Sequence, residues 1–355
     1  MANVYSLVSE VWEAQLADIA QARHSVLFEQ YIVEDLWGNG IGRRFLEALA
    51  DKAREGVEVW CILDAQGCFE LFRSQELHDW LTDAGVKIFY YKTLGVSKLI
   101  SPARLFLRDH RKLLLIDHDI TWIGGVVVGE RFRDWHDLMV RFTEPAISDI
   151  ANKEFRNQLL RLADKTVLLA PMQVINEKYH LSGNAPGFGN RFCYEEICHA
   201  IMLATKSVTL VTPYFAPPWK LTRVIERRLA EGLSIELLVP RKSDVWLADA
   251  AREGYIHELL QKGLTVRYFD SMLHAKVVMV DDEWITFGST NLDALSLNFN
   301  HELNIVSRDR ELISKIKDVV ADWCHDLTPV TVATCEYHNI SPVRRFLGKL
   351  ARYLA

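Results

Sequence analysis

The sequence predicts an α/β protein made of two fused copies of one unit. Three observations carry that expectation. Short β-branched runs alternate with segments of helical period, the chain aligns with itself, and a His-x-Lys pattern recurs inside two otherwise apolar stretches. At 355 residues there is room for two ordinary domains. A composition of 49% hydrophobic and 25% charged residues is that of a globular protein.

The helical segments GRRFLEALADKAREG and WKLTRVIERRLAEG space apolar residues at i, i+3 and i+4. They stop at Gly56 and Gly232, positions where glycine ends a helix without steric cost. In the self-alignment, ARHSVLF (22–28) matches ATKSVTL (204–210), and EGVEVWCILD (55–64) matches EGLSIELLVP (231–240). AGVKIFYYK (84–92) then matches KGLTVRYFD (262–270), and HRKLLLID (110–117) matches HAKVVMVD (274–281). The offset falls from 178 residues at the third match to 164 at the fourth, so the first copy carries about fourteen extra residues within 93–109. Residues 161–190, ending in SGNAPGFGN, read as a connector. The expected units are therefore 1–160 and 191–330, followed by a tail over 331–355.

Around the histidines, AKVVMVD-DE-WITFGS reads as a hairpin turning at Asp282-Glu283, which sets Lys276 opposite Ser289 and His274 opposite Asn291. Strand side chains alternate faces, so those four share one side. The first copy, turning at His118-Asp119, sets Lys112 opposite Gly125 and His110 opposite Val127, where the second copy has Asn291. Asp117 and Asp281 stand seven residues after their histidines, on the other face, and read as turn residues. A later acid follows in each copy, Asp137 in RDWHDLMVRF and Glu302 in NHELNIV, placed to orient a histidine.

An isolated histidine on a strand is usually a packed core residue. Two copies of His-x-Lys-x4-Asp, each followed by a glycine turn and a later acid, point instead to chemistry. One neutral imidazole can attack while the other protonates a leaving group. The lysines, Ser289 and Asn291 are donors suited to an anion's oxygens, and the glycines admit close backbone approach.

These motifs resemble those of the phospholipase D superfamily, seen here as His110-Lys112-Asp117 with Gly124-Gly125 and His274-Lys276-Asp281 with Gly288-Ser289-x-Asn291. The similarity covers roughly residues 15–330. MLHAKVVMVDDEWITFGSTNLDALSLNFNHELN, VTPYFAPP and WHDLMVRFTEPAI look most like bacterial cardiolipin synthases. The resemblance implies two tandem phospholipase D-like α/β units related by a pseudo-two-fold axis, with mixed sheets flanked by helices and one shared active site. It further implies a phosphohistidine intermediate, no metal, no cofactor, and transfer of a phosphatidyl group onto phosphatidylglycerol. His110 would be the nucleophile and His274 the acid and base. Lys112, Lys276, Gly125, Ser289 and Asn291 would bind phosphate, and Asp137 and Glu302 would orient the imidazoles. Val127 departs from the family's Asn, which puts the rate of the first half-site in doubt.

A net charge of −6 gives no global basic field, so no nucleic-acid partner is expected. Six cysteines lack zinc or disulfide-framework spacing and read as reduced thiols of a cytosolic protein. The opening MANVYSLVSEVWEAQ has acids where a signal peptide needs an apolar core, and no run approaches the ~18–20 residues of a membrane span. Phospholipid would instead be met at the inner face of the cell membrane. The cationic amphipathic segment 341–355 reads either as an interfacial helix or as a helix packed on the domain, and 93–109 either as a lid or as a surface loop. A hydrolase of lipid or nucleic acid, and a catalytically silent binding module, are the competing readings.

Overall fold

The computed structural model describes residues 2–91, 107–163, 172–185 and 190–335, with Pro342. The first half runs β1 (Ala2–Leu7), α1 (Val8–Gln21), β2 (Ser25–Gln30), α2 (Ile41–Arg54), β3 (Glu58–Asp64), α3 (Phe69–Arg73), α4 (Gln75–Asp83) and β4 (Lys87–Tyr91). It continues with β5 (Leu113–Ile116), β6 (Ile120–Gly124), β7 (His136–Phe142) and α5 (Pro145–Ala163). The second half runs β8 (Met172–Val174), β9 (Tyr179–Asn184), α6 (Phe192–Leu203), β10 (Ser207–Val211), β11 (Phe215–Ala216), α7 (Trp219–Ala230), β12 (Ser234–Pro240), α8 (Trp246–Leu260) and β13 (Thr265–Phe269). It ends with β14 (Val277–Val280), β15 (Trp284–Gly288), β16 (Leu292–Asp293), α9 (Ala294–Asn298), β17 (Glu302–Ser307) and α10 (Arg310–Cys324).

Two mixed sheets result, ordered β1-β7-β6-β5-β2-β3-β4 and β13-β12-β10-β14-β15-β17-β9-β8. β2, β3 and β4 are mutually parallel, as are β10, β12 and β13, while each histidine hairpin joins antiparallel. The duplication is thus visible strand by strand. It also extends further back than the sequence suggested, because β1 flanks β7 as β9 flanks β17. Within 161–190 the described residues belong to the layers: α5 runs through Ala163, and β8 and β9 are paired strands of the second sheet.

Strand alternation explains why these runs are apolar on both faces. Leu113 and Leu115 of β5 face Val277 and Met279 of β14 in a central core between the sheets. Leu114 and Ile116 face the helices of the first half, and Val278 and Val280 those of the second. α5 and α10 add Phe155 and Trp323 to the central core.

The hairpin register differs by one residue from the expectation. Val277 pairs with Phe287 and Val280 with Trp284, and Leu113 pairs with Ile123, so the turn has three residues. Asp117 and His118, like Asp281 and Asp282, take positive φ of +53° to +62°, a conformation that Asp tolerates better than most residues. Each motif aspartate then ties its hairpin to the neighbouring strand. Asp117 accepts the backbone N–H groups of Arg23, His24 and Ser25 at 2.7–2.8 Å, and Asp281 those of Thr205, Lys206 and Ser207 at 2.6–2.9 Å.

Arg111, between His110 and Lys112, breaks the symmetry. Where the second copy has Ala275, its fully buried guanidinium binds Glu29 through two nitrogens and Glu154 on α5, at 2.6–2.9 Å. Burial pushes Glu29 well above the ordinary carboxyl range despite Arg111. Removing the cation leaves buried acids uncompensated, so Arg111→Ala should cost roughly 3–5 kcal/mol of stability in denaturant unfolding. A loss within experimental error would show that the cluster is already neutralised by protons.

Candidate active site

The histidines lie just before β5 and β14, at the end of each sheet where β2 and β10 finish. There the backbones of the two halves join. Asp109 forms a parallel bridge with His301, and His136 with Leu273. His110 N–H donates to the His301 carbonyl at 2.9 Å, and His274 N–H to the His136 carbonyl at 2.6 Å. Each motif histidine is thereby set beside the acid-bearing strand of the opposite half.

The acids cross over accordingly. Nδ1 of His110 lies 3.1 Å from both carboxylate oxygens of Glu302, and Nδ1 of His274 lies 2.7 Å from Oδ2 of Asp137. A carboxylate can only accept, so each imidazole carries its proton on Nδ1 and leaves the Nε2 lone pair for chemistry. Both rings are buried, at 7% and 6% exposure. Burial lowers the His110 pKa against the pull of Glu302, and it lowers His274 to about 4 with Lys276 adding to the effect. The resting imidazoles are therefore neutral at physiological pH.

Lys112 and Lys276 each donate to the carbonyl of their own histidine and are almost completely buried. Burial holds Lys112 well below the ordinary amine range and brings Lys276 to about 8, with the two acids opposing. Burial would raise Asp137, but Lys276 and His274 hold its carboxyl below the usual value.

The glycine turns are not interchangeable. Gly288 has φ of +155°, and a Cβ there would lie 2.4 Å from the Leu303 carbonyl oxygen. That kink, not strand alternation, brings Ser289 to the site. Its hydroxyl donates to Glu302 at 2.5 Å and accepts from Leu303 N–H at 3.0 Å. Ser289 thus braces Glu302. A Cβ on Gly125, the counterpart, would lie 2.3 Å from Asp137 Oδ1, so the shorter acid leaves no room for a side chain. Val127 packs in the outer core of the first half, its carbonyl accepting from Trp12, while Asn291 keeps a buried, unpartnered Oδ1. Asp117 and Asp281 are engaged at the far ends of the hairpins, as turn residues.

Sequence reading missed several neighbours. Tyr31 edges the His110 ring at 4.8 Å, Trp135 lies 5.3 Å from the His274 ring, and Tyr214 edges it at 6.4 Å. Tyr31 and Tyr214 follow β2 and β10, just beyond the matched ARHSVLF and ATKSVTL. Extending that alignment a few residues would have exposed an aromatic in both copies. The insert lies outside the described residues over 92–106, and the tail over 336–355 apart from Pro342.

A duplicated sheet with two crossed histidine–carboxylate pairs and two buried lysines defines a phospholipase D-type phosphodiester site. The sequence profile of the family described as "Cardiolipin synthase, PLD-like domain" matches residues 16–159 and 197–323, and the chain belongs to that family. Among curated proteins it is similar to cardiolipin synthase A of Cronobacter sakazakii, at 27% identity over 88% of this chain and 67% of the relative. The same protein of Salmonella arizonae is 28% identical over the same shares. Among solved structures, phosphatidylserine synthase of Haemophilus influenzae superposes with TM-score 0.77 at 16% identity, covering 99% of this chain and 93% of the other. Polyphosphate kinase of Porphyromonas gingivalis gives 0.64 at 14% identity, over 99% and 52%. These structural likenesses establish the shared fold.

Because the acids set the tautomers, Glu302→Gln and Asp137→Asn should each lower phosphodiester turnover by roughly 10²–10⁴-fold while leaving the fold intact. Rates within about threefold of wild type, with unchanged circular dichroism, would remove the acids from the site's function.

Proposed function

We propose that this chain is a phosphatidyltransferase that makes cardiolipin from phosphatidylglycerol and a second phospholipid through a covalent phosphohistidine. The observation that carries the reading is the crossed pairing, which supplies two neutral, oriented imidazoles in one buried site.

The resting site sets two buried lysines against two acids. A phosphodiester brings one further negative charge, which favours uptake of one proton by an imidazole. Nε2 of His110 attacks phosphorus as the bond to the departing alkoxide breaks, and His274 delivers its proton to that oxygen. In the second step His274 takes the proton of the incoming lipid hydroxyl, whose oxygen displaces His110 from phosphorus. The P–N bond breaks, a new P–O bond forms, and both imidazoles return to their starting states. The remaining N–H groups of Lys112 and Lys276, and the Asn291 side chain, bind the non-bridging oxygens, stabilising charge as it builds. Asp137, Glu302 and Ser289 position the imidazoles, and Gly125 leaves space for Asp137.

Among the described residues no helix is long and apolar enough to cross a membrane. In this proposal the enzyme meets phospholipid peripherally, at the inner face of the cell membrane. The burial of both imidazoles favours a lipid hydroxyl over water as acceptor, and the net charge of −6 disfavours nucleic acid.

Incubation with phosphatidylglycerol vesicles, followed by lipid separation, should give cardiolipin and glycerol. Phosphatidic acid alone would make the protein a hydrolase, and cleavage of single-stranded DNA without lipid conversion a nuclease. His110→Ala and His274→Ala should each abolish turnover. Because the reacting state carries a proton that the free imidazoles lack, kcat/KM should decline with rising pH above the lowered histidine values, and a further alkaline limb should fall near 8, as Lys276 loses its proton. An alkaline limb near 10 would contradict a catalytic role for the Lys276 charge.

A further inference from the structure

Among the described residues, six of the fourteen exposed large apolar side chains lie at one end of the molecule. Strand direction identifies that end. His110 and His274 lie where β2 and β10 finish, and the parallel strands β3 and β12 finish there too. The segments that follow these four strands carry Trp37, Phe69, Trp219 and the consecutive Val245, Trp246 and Leu247. Every exposed tryptophan among the described residues is in this set, Trp219 being 78% and Trp246 53% exposed. Monomeric surfaces seldom gather apolar groups in this way without a partner, and tryptophan favours the boundary between water and lipid.

Basic residues stand beside the apolar tip. Arg241, paired with Asp270, and exposed Lys242 precede the Val245–Leu247 tip. The opposite ends of the histidine hairpins present Asp117, Asp119, Asp281, Asp282 and Glu283. At that far end Lys206 and Lys317 pair with Glu283 and Asp282, so what an anionic surface would meet at the tip is the local cation Lys242. The tip is also fastened to the site: Asp244 accepts from the Tyr214 hydroxyl at 2.5 Å, and the Tyr214 ring edges His274.

We propose that this rim, centred on Val245, Trp246 and Leu247 and including Trp219, docks the protein on an anionic lipid bilayer with the histidine pocket facing the membrane. The inference rests on the phosphatidyltransferase reading for its biological sense, and it names a surface separate from the 93–109 and 341–355 segments. Docking in this orientation lets a lipid headgroup enter the pocket while its acyl chains stay in the bilayer. The apolar rim then supplies contact area, and the basic residues supply the preference for anionic lipid.

The test uses the full chain and vesicles of equal parts phosphatidylglycerol and phosphatidylethanolamine. Flotation should show wild type bound. The combined Val245→Ser, Trp246→Ser, Leu247→Ser variant should bind about tenfold or more weakly, as removal of buried apolar area requires. Trp219→Ser should weaken binding in the same direction. Both variants should keep the wild-type unfolding midpoint and wild-type cleavage of a water-soluble diester, bis(p-nitrophenyl) phosphate. Equal vesicle binding by the triple variant, or no binding by wild type, overturns the proposal. So does a parallel loss of soluble-diester cleavage, which would make the loop part of the site and not a docking surface. A concentration-dependent dimer that the triple variant abolishes, without vesicle binding, would give the rim to a second copy. Should wild type turn over neither vesicle lipid nor the soluble diester, the catalytic reading fails, while flotation still decides the docking surface.

Discussion

The site depends on each half of the chain orienting the other half's histidine. Glu302 holds His110 and Asp137 holds His274, and the backbone bridges Asp109–His301 and His136–Leu273 fix the strands that make those contacts possible. Neither half therefore contains a complete site. The apolar inter-sheet core built from Leu113, Leu115, Val277 and Met279 sets the separation of the sheets, and with it the length available to the acids. The longer Glu302 is braced by Ser289, and the shorter Asp137 fills the space that a side chain at Gly125 would need.

Burial then does the electrostatic tuning. Removing the two histidines and two lysines from water disfavours their charged forms, while the two carboxylates restore part of the loss. The outcome is a site with neutral imidazoles at rest and a Lys276 charge that persists to mildly alkaline pH. Arg111 and its acids lie on the neighbouring face of the first histidine strand, so this half-site is anchored by a buried ion cluster where the second is anchored by apolar contact at Ala275.

Much of this was legible in the sequence. The duplicated apolar runs and the two His-x-Lys motifs located the sheets and the reactive groups, because strand alternation and motif spacing are local properties. What depended on tertiary geometry was not. The hairpin register slipped by one because Asp117 and Asp281 adopt positive φ, and Ser289 reaches Glu302 through the Gly288 kink, a backbone feature without a strand-period signature. The crossing of the acids was hidden because Asp137 and Glu302 follow their own copy's histidine at nearly equal spacing. The β1–α1 and β9–α6 repeats were missed because their similarity lies in topology and not in residues, which turned part of the second sheet into an apparent connector.

The crossed pairing is tested most directly by following the two histidines separately. Nitrogen-15 NMR of histidine-labelled protein, titrated with and without Glu302→Gln, reads each ring's tautomer and protonation. Loss of Glu302 should shift the His110 nitrogens and lower that ring's pKa further, since the carboxylate opposes the effect of burial, while His274 stays as in wild type. A response confined to His274 would show that each acid serves its own half, and the account of two interdependent half-sites would be wrong.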